Sequence, residues 1–333
     1  MSTTPGKLTD RKVLIFDVYG TLMDWETGLY DALKPLLLRY KPSRNWTRKE
    51  ALTAFGSVEL DLQTQFPDML YADLLAKVHE VLEQRLKALS SKETSSSTLD
   101  AGEPKEPEGA ETAAEGASAS TSALNGSDET KEASSDAAQH KAFGDSIKNW
   151  PIFPDTSAAL HSLAKHYKLV VLSNVDRDSF QYTHGVLSEG RTPSDPSLYL
   201  YPGNAKTTRF WQPQTTAAAG KSPFTLILTA QDTGCYKPTL GGFQTALEYI
   251  KTSPDLLGGT LKDGEDVEDK VFVVAQSLPH DHVPASQLGV RSVWIDRQTA
   301  VTCNELPGGA EPYSWKFETM GEFAEAVEEE AAQ

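Results

Sequence analysis

Five short apolar runs, each of strand length and each followed by polar residues, constrain this chain more than anything else in it. They are Val13–Phe16, Leu169–Leu172, Thr225–Thr229, Val271–Val274 and Val293–Ile295. Most are apolar throughout rather than alternating, the mark of strands covered on both faces. Between them the spacing turns helical: Leu160 and Leu163; Phe243, Ala246, Leu247 and Ile250; Ala285, Leu288 and Gly289. Strands separated by helices predict a doubly wound α/β core around a parallel sheet.

The first run stands far from the rest, and what separates them is not sheet-like. Leu29, Ala32, Leu33, Leu36 and Leu37 keep helical spacing, as do Ala51, Leu52, Phe55, Val58 and Leu62. A third run holds Leu70, Leu74, Leu75, Val78, Val81 and Leu82. Residues 24–91 and 142–149 are therefore expected to form a helical cap inserted into a core of residues 1–23 and 150–333. Between them, residues 92–141 are rich in Ser, Thr, Ala, Glu and Gly. Between Glu93 and His140 the large apolar residues are Leu99 and Leu124. Such composition buries too little surface to offset its ordering entropy, so disorder is expected there. A second irregular stretch, 183–223, is expected to be a loop insertion in the core; it keeps Tyr199, Tyr201, Phe210 and Trp211, which points to a loop that packs on some other part of the molecule.

The formal charge is −16, from 31 Lys and Arg against 47 Asp and Glu. That argues against nucleic-acid and anionic-membrane partners. Eleven acids and two bases fall between Glu93 and His140, so the remainder is only mildly acidic. Two cysteines, Cys235 and Cys303, are too few for a disulfide framework. No apolar stretch precedes the first strand and no run nears a membrane span, so a cytoplasmic protein is expected.

In open parallel sheets, ligands bind outside the carboxyl ends of the strands. Four of the runs carry polar groups there: Asp17 with Thr21, Ser173 with Asn174, Gln231 and Asp232 with nearby Lys237, and the stretch Gln276 to Asp281. A carboxylate is ionised at neutral pH and needs no base to act as a nucleophile. Lys237 is suited to orient Asp17, and Thr21, Ser173 and Asn174 to donate hydrogen bonds to a substrate's negative charge.

These residues resemble the motifs of the haloacid dehalogenase (HAD) superfamily. D-V-Y-G-T-L from Asp17 resembles its first motif, V-L-S-N ending at Asn174 its second, Y-K-P around Lys237 its lysine motif, and A-Q-S-L-P-H-D ending at Asp281 its fourth. G-V-R-S-V-W-I-D-R follows much as in the L-2-haloacid dehalogenase branch. The resemblance implies a HAD-like (Rossmannoid) core with a helical cap, hydrolase activity and a small, anionic substrate. It implies catalytic roles for Asp17, Lys237 and Asp281, with Asp281 positioning a water. Thr21, Tyr19, Ser173 and Asn174 would bind substrate, with Gln276 and His280 as further candidates and His280 as a proton shuttle. Cap helices supply dimer contacts in that family, so a homodimer is the assembly to test.

Phosphatases of the superfamily carry D-x-D and bind Mg²⁺; here Tyr19 holds the second place and the fourth motif offers one carboxylate. A halide leaves without a proton. The expectation is thus hydrolysis at carbon, without cofactor or metal, through an Asp17 ester. A Mg²⁺-dependent phosphatase and a catalytically silent binding module are the alternatives. His280 and His282 make a poor zinc signature. Four positions depart from the dehalogenase pattern. The second cap helix, around Gly56, has no arginine for a substrate carboxylate; Phe243 stands where a tyrosine is usual; Gln276 and Leu278 replace a serine and an asparagine.

Overall fold

The computed structural model describes residues 6–97, 126–202 and 209–333. Its centre is a six-stranded, wholly parallel sheet in the order β3-β2-β1-β4-β5-β6. The strands are β1 (Val13–Phe16), β2 (Lys168–Ser173), β3 (Phe224–Thr229), β4 (Val271–Ala275), β5 (Arg291–Ile295) and β6 (Trp315–Phe317). The expected α/β core is thereby present, with one strand more than the apolar runs foretold. Strand β6 is a three-residue edge strand, half-buried, and its sequence W-K-F lacks an apolar run.

Both faces of the sheet are covered, which explains the unbroken apolar runs. Leu14, Phe16, Leu169, Val171, Phe272 and Val274 pack into one cluster. Their neighbours Val13, Ile15, Val170, Leu172, Val271 and Val273 pack into the other. This is the two-residue period of a strand with a hydrophobic layer on each side. Helices α5 (Thr156–Leu163) and α11 (Met320–Ala331) close the first layer with Leu160, Leu163, Phe323 and Val327. Helices α8 (Leu240–Lys251) and α10 (Val283–Gln287) close the second with Phe243, Ala246, Ile250 and Ala285. Helix α6 (Arg177–Glu189) and the short α7 (Ala230–Thr233) and α9 (Pro254–Leu257) complete the core.

The cap consists of α1 (Trp25–Arg39), α2 (Arg48–Gln65), α3 (Tyr71–Ser97) and α4 (Gly126–Gly144). Asp24 caps α1 through the Thr27 amide, and Thr47 with Glu50 forms a capping box at α2. Leu33, Leu36, Phe55, Val58, Leu74, Val78 and Phe143 fill its interior, continuous with the core cluster. Leu70, placed by its spacing in the third helical run, instead precedes α3 and is exposed. The chain enters and leaves the cap side by side. Met23 bridges Ile152 in antiparallel fashion, and the Asp24 amide donates to the Pro151 carbonyl.

Two boundaries differ from expectation. Helix α3 runs to Ser97 and α4 begins at Gly126, so helix enters the 92–141 stretch from both ends. At the α4 end, contacts with α1 and α3 give the polar sequence partners: Arg39 bonds Gln139, Lys87 bonds Asp136, and His79 Nδ1 meets His140 Nδ1 at 2.7 Å. The expected disorder across residues 98–125 lies outside the described residues. In 183–223, the first part is helical, since α6 continues to Glu189. Its aromatics Tyr199, Phe210 and Trp211 are buried against the core. Trp211 bridges Ile227 of β3 and stacks edge-on against Phe180 and His184.

Candidate active site

The sheet order reverses between β1 and β4, and a crevice opens there at the carboxyl ends of the strands. A cavity of about 430 Å³ lies between this edge and the cap. Asp17 directly follows β1 and is 8% exposed. The left-handed Gly20 (φ 106°) then turns the chain sharply. A Cβ at Gly20 would stand 3.0 Å from Trp25 Nε1 and 3.1 Å from Gln276 Oε1, so glycine is required twice over.

Lys237 holds the centre of the site. Its Nζ donates to Asp17 Oδ1 at 2.7 Å and to Asp281 Oδ1 at 2.8 Å. Asn174 fixes the backbone beneath it, donating from Nδ2 to the Lys237 carbonyl and accepting from the Lys237 amide. Thr21 Oγ1 donates to Asp17 Oδ2 at 2.6 Å while accepting the Gln276 amide. The nucleophile candidate is thus held at both oxygens.

Two carboxylates share one ammonium, and all three groups are buried. Burial, followed by the charge of Asp17, pushes the Asp281 carboxyl up to about 7 against the opposing pull of Lys237. The charges of Asp17 and Asp281 outweigh desolvation at Lys237 and raise its pKa, so it stays protonated. Asp281 Oδ2 is buried and has no partner among the described residues. The Asp281 side chain belongs to the cavity lining.

Several sequence-derived assignments change. Thr21 is fully buried and spends its hydroxyl on Asp17, so it orients the carboxylate instead of touching substrate. Ser173 lies at the end of β2, buried, off the cavity wall and without a partner for its hydroxyl among the described residues. Gln231 and Asp232 stay outside the cavity as well and tie down Arg177 and Thr229. Asn174 lines the cavity, but its amide is engaged with Lys237. Tyr19 also lines it. Its ring packs edge-on against Trp150, its hydroxyl bonds Thr183 at 2.8 Å, and burial raises its pKa, which leaves it no acidic role.

The two histidines separate clearly. His282 is buried between Ser292 Oγ and the Ala275 carbonyl, and burial lowers its pKa to about 4. It is a neutral structural group. His280 lines the cavity on a π-helical turn (Leu278–His282), with Ser277 Oγ 2.8 Å from Nδ1. Burial first, then Lys237, lowers its pKa, so it is neutral at pH 7. Gln276 borders the cavity and donates from Nε2 to the Thr302 carbonyl.

Sequence reading missed the loop after β5 and the cap face opposite it. Val301, Thr302 and Cys303 form one wall, and Cys303 adopts a left-handed φ of 58°, uncommon for a non-glycine residue. The buried Glu26 carboxylate gathers this loop by accepting the Val301 and Thr302 amides and the Thr302 hydroxyl. It is balanced by Arg48 at 3.1 Å. On the cap side, Leu52, Gly56, Glu59 and Gln63 follow helical spacing along one face of α2. The only available signal was that spacing, which does not say which face meets the core.

The Lys237 ammonium lies between the two acidic side chains. Among the described residues no group of three His, Cys, Asp or Glu side chains converges on a common point.

No family model matches this chain, and no curated protein sequence does. Solved structures do. The defluorinating L-2-haloacid dehalogenase Rha0230 is 13% identical with a TM-score of 0.52, covering 98% of this chain and 100% of that one. An L-2-haloacid dehalogenase from Xanthobacter autotrophicus, with chloropropionic acid covalently bound, is 13% identical (TM-score 0.51; 96% and 98% covered). The putative HAD-hydrolase YfnB from Bacillus subtilis, bound to magnesium, is 14% identical (TM-score 0.51; 96% and 99% covered). At such identities the likeness is one of architecture. The chain has the fold of the haloacid dehalogenases, a HAD-like core with a helical cap.

Proposed function

We propose that the protein is a hydrolase that acts at carbon through an aspartyl ester on Asp17, in the manner expected of a haloacid dehalogenase. The observation that carries this reading is the Asp17–Lys237–Asp281 chain of hydrogen bonds opening on a cavity in which Tyr19 stands where a second acid would be. An Asp17 oxygen attacks the carbon that bears the leaving group. A C–O bond forms as the C–X bond breaks, and the electron pair departs with X as halide. No proton is required, consistent with the lack of an acid at Tyr19. Lys237 balances the charge before attack and faces the neutral ester after it.

Water then attacks the Asp17 carboxyl carbon. The unpartnered Asp281 Oδ2 accepts one of its protons, the acyl C–O bond breaks, and the departing alkoxide takes up the other proton of the attacking water, so the product leaves as the alcohol, Asp17 is restored as a carboxylate and Asp281 returns its proton to solvent. Thr21 stays hydrogen-bonded to the oxygen on which negative charge develops. With Lys237 between the carboxylates and no D-x-D acid, a Mg²⁺-dependent phosphatase reading is less well supported.

The test is halide release from small organohalides bearing carboxylate, hydroxyl or ammonium groups, with and without chelator, in ¹⁸O-water. We expect metal-independent release and ¹⁸O in the Asp17 peptide after multiple turnovers. Release abolished by chelation, or label absent from Asp17 while product forms, would overturn the reading.

A further inference from the structure

The cap side of the cavity carries a charge opposite to what an acidic substrate needs. Glu59 of α2 faces the cavity, and Tyr71 at the start of α3 donates to its Oε1 at 2.7 Å. Its second oxygen has no hydrogen-bond partner among the described residues. The cavity wall thus holds three carboxylates, Asp17, Asp281 and Glu59, and one permanently charged cation, Lys237. Lys237 is already shared between two of them.

No arginine compensates. Arg48 pairs with Asp24 and Glu26, Arg177 with Asp232, and the buried Arg297 with Asp155. A substrate carboxylate on the cap side would meet a like charge and no donor cation. Three aromatic side chains, Tyr19, Trp25 and Tyr71, also line the cavity, and aromatic faces attract cations. Gly56, one turn before Glu59, leaves open space where a side chain would project.

We propose that Glu59, with Tyr71 and the neighbouring aromatic rings, forms a subsite for an ammonium group, so that the substrate is a small amine instead of a 2-haloacid. This departs from the anionic substrate expected from the sequence. It rests on the Asp17 reading only for where the reacting carbon lies. Burial pushes the Glu59 carboxyl up to about 7, and an ammonium seated beside it reverses that cost by stabilising the ionised form.

The test uses unreactive probes, so it is independent of catalysis. Binding of pentylammonium, 1-pentanol and pentanoate to the full chain is measured by calorimetry at pH 8. Wild type is expected to bind pentylammonium at least about tenfold more tightly than pentanoate, and Glu59→Gln to lose that preference. Pentanoate binding as tightly as pentylammonium, or a preference unchanged in Glu59→Gln, would overturn the subsite. Should Glu59→Gln fail to fold, Gly56→Lys serves, since an ammonium on the same helix face must abolish pentylammonium binding; binding that persists would overturn the proposal. Failure of the ester mechanism reads out separately, as absence of ¹⁸O from Asp17.

Discussion

The floor and the roof of the cavity are built on different principles. The floor is a set of strand ends. Asp17, Asn174, Lys237 and Asp281 reach it from the segments that follow β1, β2, β3 and β4, and nearly every polar atom is committed to a neighbour. The roof is one face of α2 flanked by the first residues of α1 and α3, Trp25 and Tyr71; there Glu59 has a single hydrogen-bond partner and Gly56 projects nothing. A change in the floor disturbs several partners at once, whereas a change in the roof alters what fits and little else. Chemistry that depends on orientation belongs to the first kind of construction, and substrate choice can be carried by the second.

The largest effect should come from removing the proposed nucleophile. Asp17→Asn is expected to lower kcat by at least ~10⁴-fold, as loss of a covalent nucleophile does elsewhere. Halide release under single-turnover conditions would measure it, and activity within tenfold of wild type would show that the floor does not perform the chemistry.

Lys237→Met tests whether the floor acts as a unit. It strands two buried carboxylates and should cost about 3–5 kcal/mol at pH 8. The loss should shrink toward pH 5, where the stranded carboxyls take up protons, and urea denaturation at both pH values would reveal the difference.

Asp281 gives the pH signature. As the accepting group it must be ionised, so ester hydrolysis should accelerate as pH rises; with Asp17 esterified the charge that helps to raise Asp281 is gone, so the rise should come at lower pH than the ionisation of Asp281 in the free protein. Asp281→Asn should slow that step by roughly 10²–10⁴-fold and let the Asp17 ester accumulate, visible by mass spectrometry of the intact protein. For stability the sign is opposite. A carboxyl whose pKa is raised on folding stabilises the native state at low pH, and that contribution is lost as pH passes upward through about 7.

The roof should respond more gently. Glu59 is also raised by burial, so Glu59→Gln should stabilise the fold at pH 8, by about 1 kcal/mol given its partial exposure, and have little effect at pH 4. Gly56→Ala removes a glycine from a helix interior and should add up to about 1 kcal/mol while narrowing the cavity. A higher Tm together with a higher KM would separate roof from floor.

Much of this was written in the sequence. Apolar runs without alternation required a sheet buried on both sides, because no other arrangement hides consecutive side chains of a strand. The polar residues after those runs placed Asp17, Lys237 and Asp281 on one edge, since strand ends in a parallel sheet share it, and the three side chains do meet there. Sequence alone did not reveal β6, whose three residues have no apolar pattern and find their place only beside β5. Nor did it give the roles of Thr21 and Ser173, because a hydroxyl looks the same whether it faces a substrate or a carboxylate.

What only the tertiary structure decided was the company each group keeps. Glu26 and Arg48 are ordinary charged residues of helix starts until the fold places the 301–303 loop against them. Glu59 is one more acid in an acidic chain until α2 turns it toward the cavity beside Tyr71. Periodicity fixes which residues share a helix face. Which face meets the active site depends on how the helix is docked, and that is settled by contacts between residues far apart in the chain.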